Sequence, residues 1–146
     1  MASPDLTQSA REIITSYSKG DWNGMKNLLA PNAVYNEFGT QRQIQGPDQI
    51  VKTLQEWKKA MTDSSGTVIS VLGSGNRVAM EVKWQGTHNG PFTGPAGTVQ
   101  PSGKHQTTPA VMIVTFQGDK ATELNHYFDM VSFLQQIGAM PAGARS

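Results

Sequence analysis

Residues 106–128, QTTPAVMIVTFQGDKATELNHYF, decide the fold class of this 146-residue chain. Two runs rich in β-branched and aromatic residues flank a Gly-Asp pair suited to a tight turn, so the stretch predicts a β-hairpin over residues 106–117 and 121–128. Upstream, residues 67–72 and 77–85 have the same character around a Gly-Ser-Gly-Asn turn. The second half of the chain therefore predicts an antiparallel meander.

The amino-terminal part of the chain has helical spacing instead. A proline at Pro4 followed by apolar residues three or four apart predicts a first helix, with its stripe at Leu6, Ala10, Ile13, Ile14 and Tyr17. Asp21 is placed to cap a short second helix, and a Gly-Pro-Asp sequence from Gly46 opens a third. A strand over residues 33–38, followed by a loop, is predicted between the second and third helices, and residues 129–137 predict a last short helix.

Helices followed by a run of antiparallel strands indicate the α+β class. We expect a curved, cone-shaped antiparallel sheet with helices packed on its concave side, enclosing an apolar cavity of the kind that binds small ligands. The length leaves room for a single domain, over residues 1–146.

The segment over residues 86–103 interrupts the strand pattern with four glycines before Gly103 and three prolines. So many glycines and prolines disfavour a regular strand, and we expect a long ordered loop. Loops of this length in compact domains are often functional, although a flexible surface excursion is the alternative.

Composition excludes several classes of function. The chain has twelve basic and eleven acidic residues and no run of basic residues, so the sequence predicts no basic surface for nucleic acid or an anionic membrane. With no cysteine, disulfides, thiolate nucleophiles and Cys-ligated zinc are excluded. The amino terminus lacks the features of a signal peptide, and no apolar run approaches the roughly 20 residues of a membrane span. We expect a cytoplasmic protein.

Four strings, in this order and spacing, resemble the SnoaL-like polyketide cyclase family of the nuclear transport factor 2-like superfamily. They are YSKGDWNGMKNLLAPNAVYNEF (17–38), GPDQIVKTLQEW (46–57), GTHNGPFTGPAGTVQPSGK (86–104) and GDKATELNHYFDMVSFLQQIG (118–138). The resemblance implies the α+β cone, a homodimer formed through the outer sheet face, and a pocket for a small hydrophobic carbonyl compound. It also implies ester-cyclase chemistry that uses no metal and no organic cofactor.

The same resemblance suggests site residues. The acid/base aspartate of characterised cyclases falls at His126 in this chain, which exchanges a carboxylate for an imidazole that is still able to act as a base near neutral pH. A family pocket histidine falls at Met112. Asn36 matches a pocket asparagine and is expected to hydrogen-bond a ligand carbonyl.

Strand alternation groups His126 with Leu124 and Phe128, so all three face the cavity if any does. The plain alternative is a histidine whose nitrogens are satisfied by its neighbours. Asp129 follows the strand directly, where it is expected either to cap the last helix or to orient His126 or serve as the base itself.

Other candidates are weaker. His88 lies at the mouth of the glycine- and proline-rich loop and His105 where that loop rejoins the sheet. Together with His126, these two histidines suggest a metal site with three imidazole ligands. We reject this hypothesis because the three histidines come from separate segments and lack the spacing of ligands on one helix. Aromatic residues offer stacking area to a planar ligand or are simply core: Tyr17, Tyr35, Trp57, Trp84 and Phe92. No phosphate loop and no nucleophile elbow is found in the sequence.

The leading hypothesis is a cofactor-free enzyme that transfers protons on a small apolar carbonyl substrate, with His126 as acid/base and Asn36 positioning the ligand. One alternative is a non-catalytic small-ligand-binding protein or dimeric scaffold of the same fold. Another is an isomerase, dehydratase or hydrolase of the same superfamily, which the sequence does not rank.

Overall fold

Four helices and eight strands are found in residues 4–94 and 97–139, the part of the chain that the computed structural model describes. The helices are α1 (Pro4–Lys19), α2 (Trp22–Leu28), α3 (Pro47–Ala60) and α4 (Met130–Gln136). The strands are β1 (Leu29–Glu37), β2 (Arg42–Gln45), β3 (Ser65–Ser74), β4 (Arg77–Thr87), β5 (Phe92–Gly94), β6 (Gly97–Val99), β7 (His105–Gln117) and β8 (Lys120–Phe128). The single domain expected over residues 1–146 also covers residues 1–3, 95–96 and 140–146, which lie outside the described residues.

Six strands form one sheet in the order β2-β1-β8-β7-β4-β3. The predicted meander is present, because β3, β4, β7 and β8 pair with antiparallel neighbours. One pair departs from it: β1 and β8 run parallel. These two strands lie far apart in the sequence, so the whole meander serves as the crossover that a parallel pair requires. Register shifts in β1, β3 and β8 bend the sheet.

The concave face of the sheet carries the core. Along β7 every second residue from Gln106 to Phe116 is buried, and α1, α3 and α4 contact the sheet on the side that these residues face. The buried stripes of α1 and α3 include Ile13, Ile14 and Ile50. The alternation in the strands and the spacing in the helices thus place apolar side chains on the two surfaces that pack together to form the core.

Three features of the sequence prediction were wrong. The first strand begins at Leu29, directly after α2, and the stretch expected to be a loop after it contains the edge strand β2, which pairs with β1. The long predicted loop contains the small hairpin β5–β6. A two-stranded pair outside the main sheet tolerates the neighbouring glycines and prolines because no ladder hydrogen bonds continue beyond it.

Hydrogen bonds hold this hairpin to the rest of the protein at its neck, the residues that directly flank β5 and β6. The Gly90 amide donates to the Ala60 carbonyl at 3.0 Å, where a Cβ atom would meet the Lys59 carbonyl oxygen at 2.0 Å, so only glycine fits. Phe92 is buried against Trp57, with ring centroids 4.9 Å apart. The hairpin therefore covers one end of the aromatic core.

Candidate functional site

A cavity of about 70 Å³ lies between the concave face of the sheet and the helices. At roughly 10–15 Å³ per water site, it has room for about five water molecules or a small organic group. Most of its lining is apolar or aromatic. The lining residues whose side chains have hydrogen-bonding groups are Tyr17, Tyr35, Trp57, Ser64, Trp84, Gln85, Gln106, Thr108 and His126.

His126 is buried in the wall of this cavity with both ring nitrogens engaged. Its Nδ1 lies 2.8 Å from the hydroxyl oxygen of Tyr35, and its Nε2 accepts a hydrogen bond from Nε1 of Trp84 at 3.0 Å. The ring also packs 4.8 Å from that of Phe128. Strands β8, β1 and β4 thus each supply one member of the cluster.

These partners fix the tautomer of His126 from two sides. The indole nitrogen of Trp84 can only donate, so Nε2 must carry the lone pair. The single hydroxyl proton of Tyr35 goes to Glu37 Oε2 at 2.8 Å, so the Tyr35 oxygen accepts from Nδ1–H. The ring is therefore neutral, with an unprotonated Nε2 at the cavity.

Glu37 ends this chain as a buried carboxylate. It accepts further hydrogen bonds from Thr40 (2.5 Å), from Trp57 Nε1 (2.9 Å) and from Arg42, whose Nη2 lies 2.7 Å away. Burial alone would raise its pKa, but the hydrogen bond from Thr40 and the charge and hydrogen bonds of Arg42 outweigh burial and lower the pKa below its ordinary value. Glu37 is thus ionised at neutral pH.

The other groups of the chain stay neutral. Burial lowers the pKa of His126 to about 4, although the charge of Glu37 acts in the opposite direction. Burial and the neighbouring Glu37 raise the pKa of Tyr35 well above 10. The wall therefore presents an uncharged imidazole backed by one fixed negative charge.

A second polar pair lies elsewhere in the same lining. The hydroxyl of Tyr17 is 2.7 Å from Ser64 Oγ, and the Lys58 ammonium lies 4.9 Å from the centre of the Tyr17 ring. Burial raises the pKa of Tyr17 to about 12. This pair therefore adds a neutral hydrogen-bonding group to the lining.

Of the residues that the sequence analysis singled out for the site, seven lie in this lining: Tyr17, Tyr35, Trp57, Trp84, Met112, His126 and Phe128. The structure does not bring Asn36 there. Adjacent strand residues point to opposite faces, so the burial of Tyr35 and Glu37 puts Asn36 on the outer face, where it hydrogen-bonds Asn125 and Gln43.

Asp129, His88 and Phe92 also lie outside the cavity lining. Asp129 caps α4 by accepting from the Ser132 amide at 3.0 Å, whereas both nitrogens of His126 bond to other residues. His88 is buried at the neck of the hairpin, where it holds Ser102 and where burial lowers its pKa. Phe92 lines a separate surface cavity with Trp57 and Arg42.

The sequence analysis missed Glu37 and Arg42 as members of the site. The signal was present, because alternation already placed Glu37 on the same face as Tyr35 and a charged residue inside a strand demands a partner. The partner itself was not readable, since β2, which carries Arg42, was predicted as a loop.

Among residues 4–94 and 97–139, no cluster of three or more His, Asp or Glu side chains is arranged to hold a metal ion. Within the same part of the chain, no helix is long and apolar enough to cross a membrane.

Comparisons with known proteins agree with this architecture. AclR from Streptomyces galilaeus, provisionally assigned as a hydroxylase, aligns over 99% of this chain and 91% of its own, with 22% identity and a TM-score of 0.82. IdmH from Streptomyces antibioticus, provisionally assigned as a polyketide cyclase, aligns over 91% of this chain and 98% of its own, with 21% identity and a TM-score of 0.79. A Catenulispora acidiphila protein with a ketosteroid isomerase-like fold aligns over 95% and 96%, with 16% identity and a TM-score of 0.78.

Among curated proteins, none matches the sequence. A family model does: the model of the SnoaL-like polyketide cyclases matches residues 7–137, nearly the whole chain. By that match, the chain belongs to the SnoaL-like polyketide cyclase family.

Proposed function

We propose that this protein is a cofactor-independent enzyme that moves a proton on a small hydrophobic carbonyl substrate, with His126 as the acid/base group. The proposal rests on the unprotonated Nε2 of His126, which lies in the wall of an apolar cavity. It is 3.0 Å from Nε1 of Trp84, a nitrogen that can donate a hydrogen bond but cannot accept one. Base and donor stand side by side, as enolisation of a carbonyl compound requires.

In the proposed reaction, the substrate places its acidic C–H bond against Nε2 and its carbonyl oxygen against Trp84. The C–H proton moves to Nε2 while the electron pair of that bond becomes the enolate. The Trp84 N–H, released from Nε2, donates to the enolate oxygen. In a cyclisation, the enolate carbon then attacks a second carbonyl group, and the Nε2 proton passes to the alkoxide that forms.

Glu37 supports the charge that develops on His126. When Nε2 takes a proton, the imidazolium donates from Nδ1 to Tyr35, whose hydroxyl in turn donates to the Glu37 carboxylate. Burial opposes this protonation in the empty cavity, and the hydrogen bond from Trp84 to the lone pair opposes it too. Transfer of the Trp84 hydrogen bond to the substrate removes the second obstacle, which couples basicity to substrate binding.

The polar wall favours this proposal over a purely binding role. A carrier for an apolar ligand needs no buried carboxylate behind a neutral imidazole, and burying such a network is costly. Support for cyclisation comes from the family and from the provisional assignment of IdmH, whereas AclR and the ketosteroid isomerase-like relative favour other outcomes of the same proton transfer. Isomerisation, dehydration and hydrolysis stay alternatives.

The test is deuterium uptake at the α-carbon of 2-tetralone in D₂O, followed by proton NMR. We expect the wild-type protein to accelerate exchange and His126→Gln to lower the rate at least about a hundredfold, as is usual for a positioned acid/base. Asn36→Leu, on the outer face, is the matched control and should exchange as the wild type does. Equal rates for the wild type and His126→Gln would remove His126 from the mechanism.

We also propose that the chain forms a homodimer through the outer face of the sheet. Phe38 and Tyr127 are stacked on that face with ring centroids 4.5 Å apart, and both are more than two-fifths exposed. Val111, paired with Tyr127 in the register, extends the apolar area. Such a patch is typical of an interaction surface. The cytoplasmic location stays a prediction.

A further inference from the structure

Gln106 is a buried amide at the cavity that the proposed mechanism does not use. It lies on the concave face of β7 and is 2% exposed. Its Nε2 donates to the thioether sulfur of Met61 at 3.4 Å, and no oxygen acceptor for this nitrogen is found in residues 4–94 and 97–139. A thioether is a weak acceptor and the amide has two N–H groups, so this donor is poorly satisfied.

A series of hydrogen bonds between β7 and Gln136 on α4 fixes the orientation of the Gln106 side-chain amide. The Thr107 amide donates to Gln136 Oε1 at 2.8 Å, and Gln136 Nε2 donates to the Thr108 hydroxyl at 3.5 Å. That hydroxyl donates to Gln106 Oε1 at 2.6 Å. The Thr108 hydrogen bond holds the amide oxygen, so the NH₂ group is turned away from it, toward Met61.

Gln106 and His126 stand at different places along the cavity. In the sheet register His126 faces Met112, which is six residues from Gln106 on β7. The backbone positions are up to about 20 Å apart along the strand, at about 3.3 Å per residue. The side chains reach toward each other across this distance, because Trp84, which pairs with Thr108, donates to His126 Nε2. The two side chains therefore contact different parts of an occupant.

We infer that Gln106 Nε2 binds a second oxygen, a carbonyl or similar acceptor, at the end of the ligand remote from His126. The inference rests on the proposed function and extends it, because it assigns the substrate to small compounds with two separated carbonyl groups. Gln106 is then a positioning residue for the remote end, and His126 acts on the near one. Binding energy at a remote group holds the reacting atoms in place.

The experiment compares two probes that differ by one carbonyl, acetophenone and 1,4-diacetylbenzene. Binding is measured by quenching of tryptophan fluorescence, since Trp57 and Trp84 both line the cavity. We expect the wild-type protein to prefer 1,4-diacetylbenzene by about three- to tenfold, the range of one neutral hydrogen bond. Gln106→Met should abolish this preference while acetophenone still binds.

Two further variants keep the test decisive. Gln43→Met makes the same exchange at an exposed residue on the outer face and should keep the wild-type preference. Thr108→Val removes the hydroxyl that orients the amide and should reduce the preference, which provides a second reading if Gln106→Met does not fold. Infrared spectra of bound 1,4-diacetylbenzene should show one carbonyl band shifting to higher frequency in both cavity variants.

An unchanged preference in Gln106→Met and Thr108→Val would overturn the inference and leave the proposed function standing. If neither probe shows saturable binding to the wild-type protein, the carbonyl ligand class is wrong and both fail. If both are right, His126→Gln should lose deuterium exchange but still prefer 1,4-diacetylbenzene as the wild type does, whereas Gln106→Met should lose that preference.

Discussion

Acid should destabilise this protein through His126 before most of its carboxylates protonate. The imidazole is buried and neutral, with a pKa of about 4 in the folded protein, against an ordinary value of 6.5 for the unfolded chain. Between these values the unfolded chain binds a proton that the folded protein does not bind, so the free energy of unfolding decreases as the pH falls. The contribution is fully present above pH 6.5 and is lost by pH 4.

The size of the effect follows from the two pKa values. By the linkage relation, the contribution of His126 to the free energy of unfolding drops by about 2 kcal/mol between pH 7.5 and pH 5, and by about 3 kcal/mol in total below pH 4. A domain of ordinary stability has about 5–15 kcal/mol, so this one side chain accounts for a measurable share.

Urea unfolding at pH 7.5 and pH 5, analysed by linear extrapolation, measures this decrease. His126→Gln removes the titrating ring, so its free energy of unfolding should decrease by about 2 kcal/mol less than that of the wild type over the same interval. Met112→Leu, which alters packing directly opposite His126 in the sheet register, is the control and should keep the full decrease. An equal decrease in the wild type and His126→Gln would falsify the assignment of a buried neutral imidazole.

Two further predictions concern the carboxylate and the outer face. Glu37→Gln should lower the free energy of unfolding at pH 7.5 by about 2–3 kcal/mol, because Arg42 and three other donors lose a charged acceptor. Urea unfolding measures this decrease. A decrease below about 0.5 kcal/mol would show that the hydrogen bonds to Glu37 contribute little to stability. Tyr127→Lys should convert the proposed dimer to a monomer in sedimentation velocity at micromolar concentration while leaving the circular dichroism spectrum unchanged; a wild-type protein that sediments as a monomer contradicts the dimer.

The fold was predictable because its signals are local. The alternation in β7 and β8 and the stripes of α1 and α3 each follow from residues close in sequence, and each agrees with the surface that the structure buries. β2 and the β5–β6 hairpin were missed because their strands are only four and three residues long and depend on a partner strand. Pairing between distant segments leaves little mark on a single short run of sequence.

The site was predictable only in part, because its chemistry depends on contacts between strands. Alternation on β8 put His126 on the concave face, and the structure agrees. The assignment of Asn36 came from the resemblance and conflicts with the alternation of β1, which puts Tyr35 on the concave face instead. Gln106 gave no sequence signal, since a glutamine near the start of a strand is ordinarily exposed.

The partners of His126 explain physically how an imidazole fits at position 126, where the resemblance predicts a carboxylate. A carboxylate there would accept hydrogen bonds from Tyr35 and Trp84 alike, whereas a neutral imidazole needs one donor and one acceptor. Glu37 supplies the difference: by taking the Tyr35 proton it makes the phenol oxygen an acceptor for Nδ1, while Trp84 remains a donor to Nε2. The negative charge that the resemblance places at position 126 is thus found two hydrogen bonds away, where Arg42 and Thr40 keep it ionised and the cavity wall stays neutral.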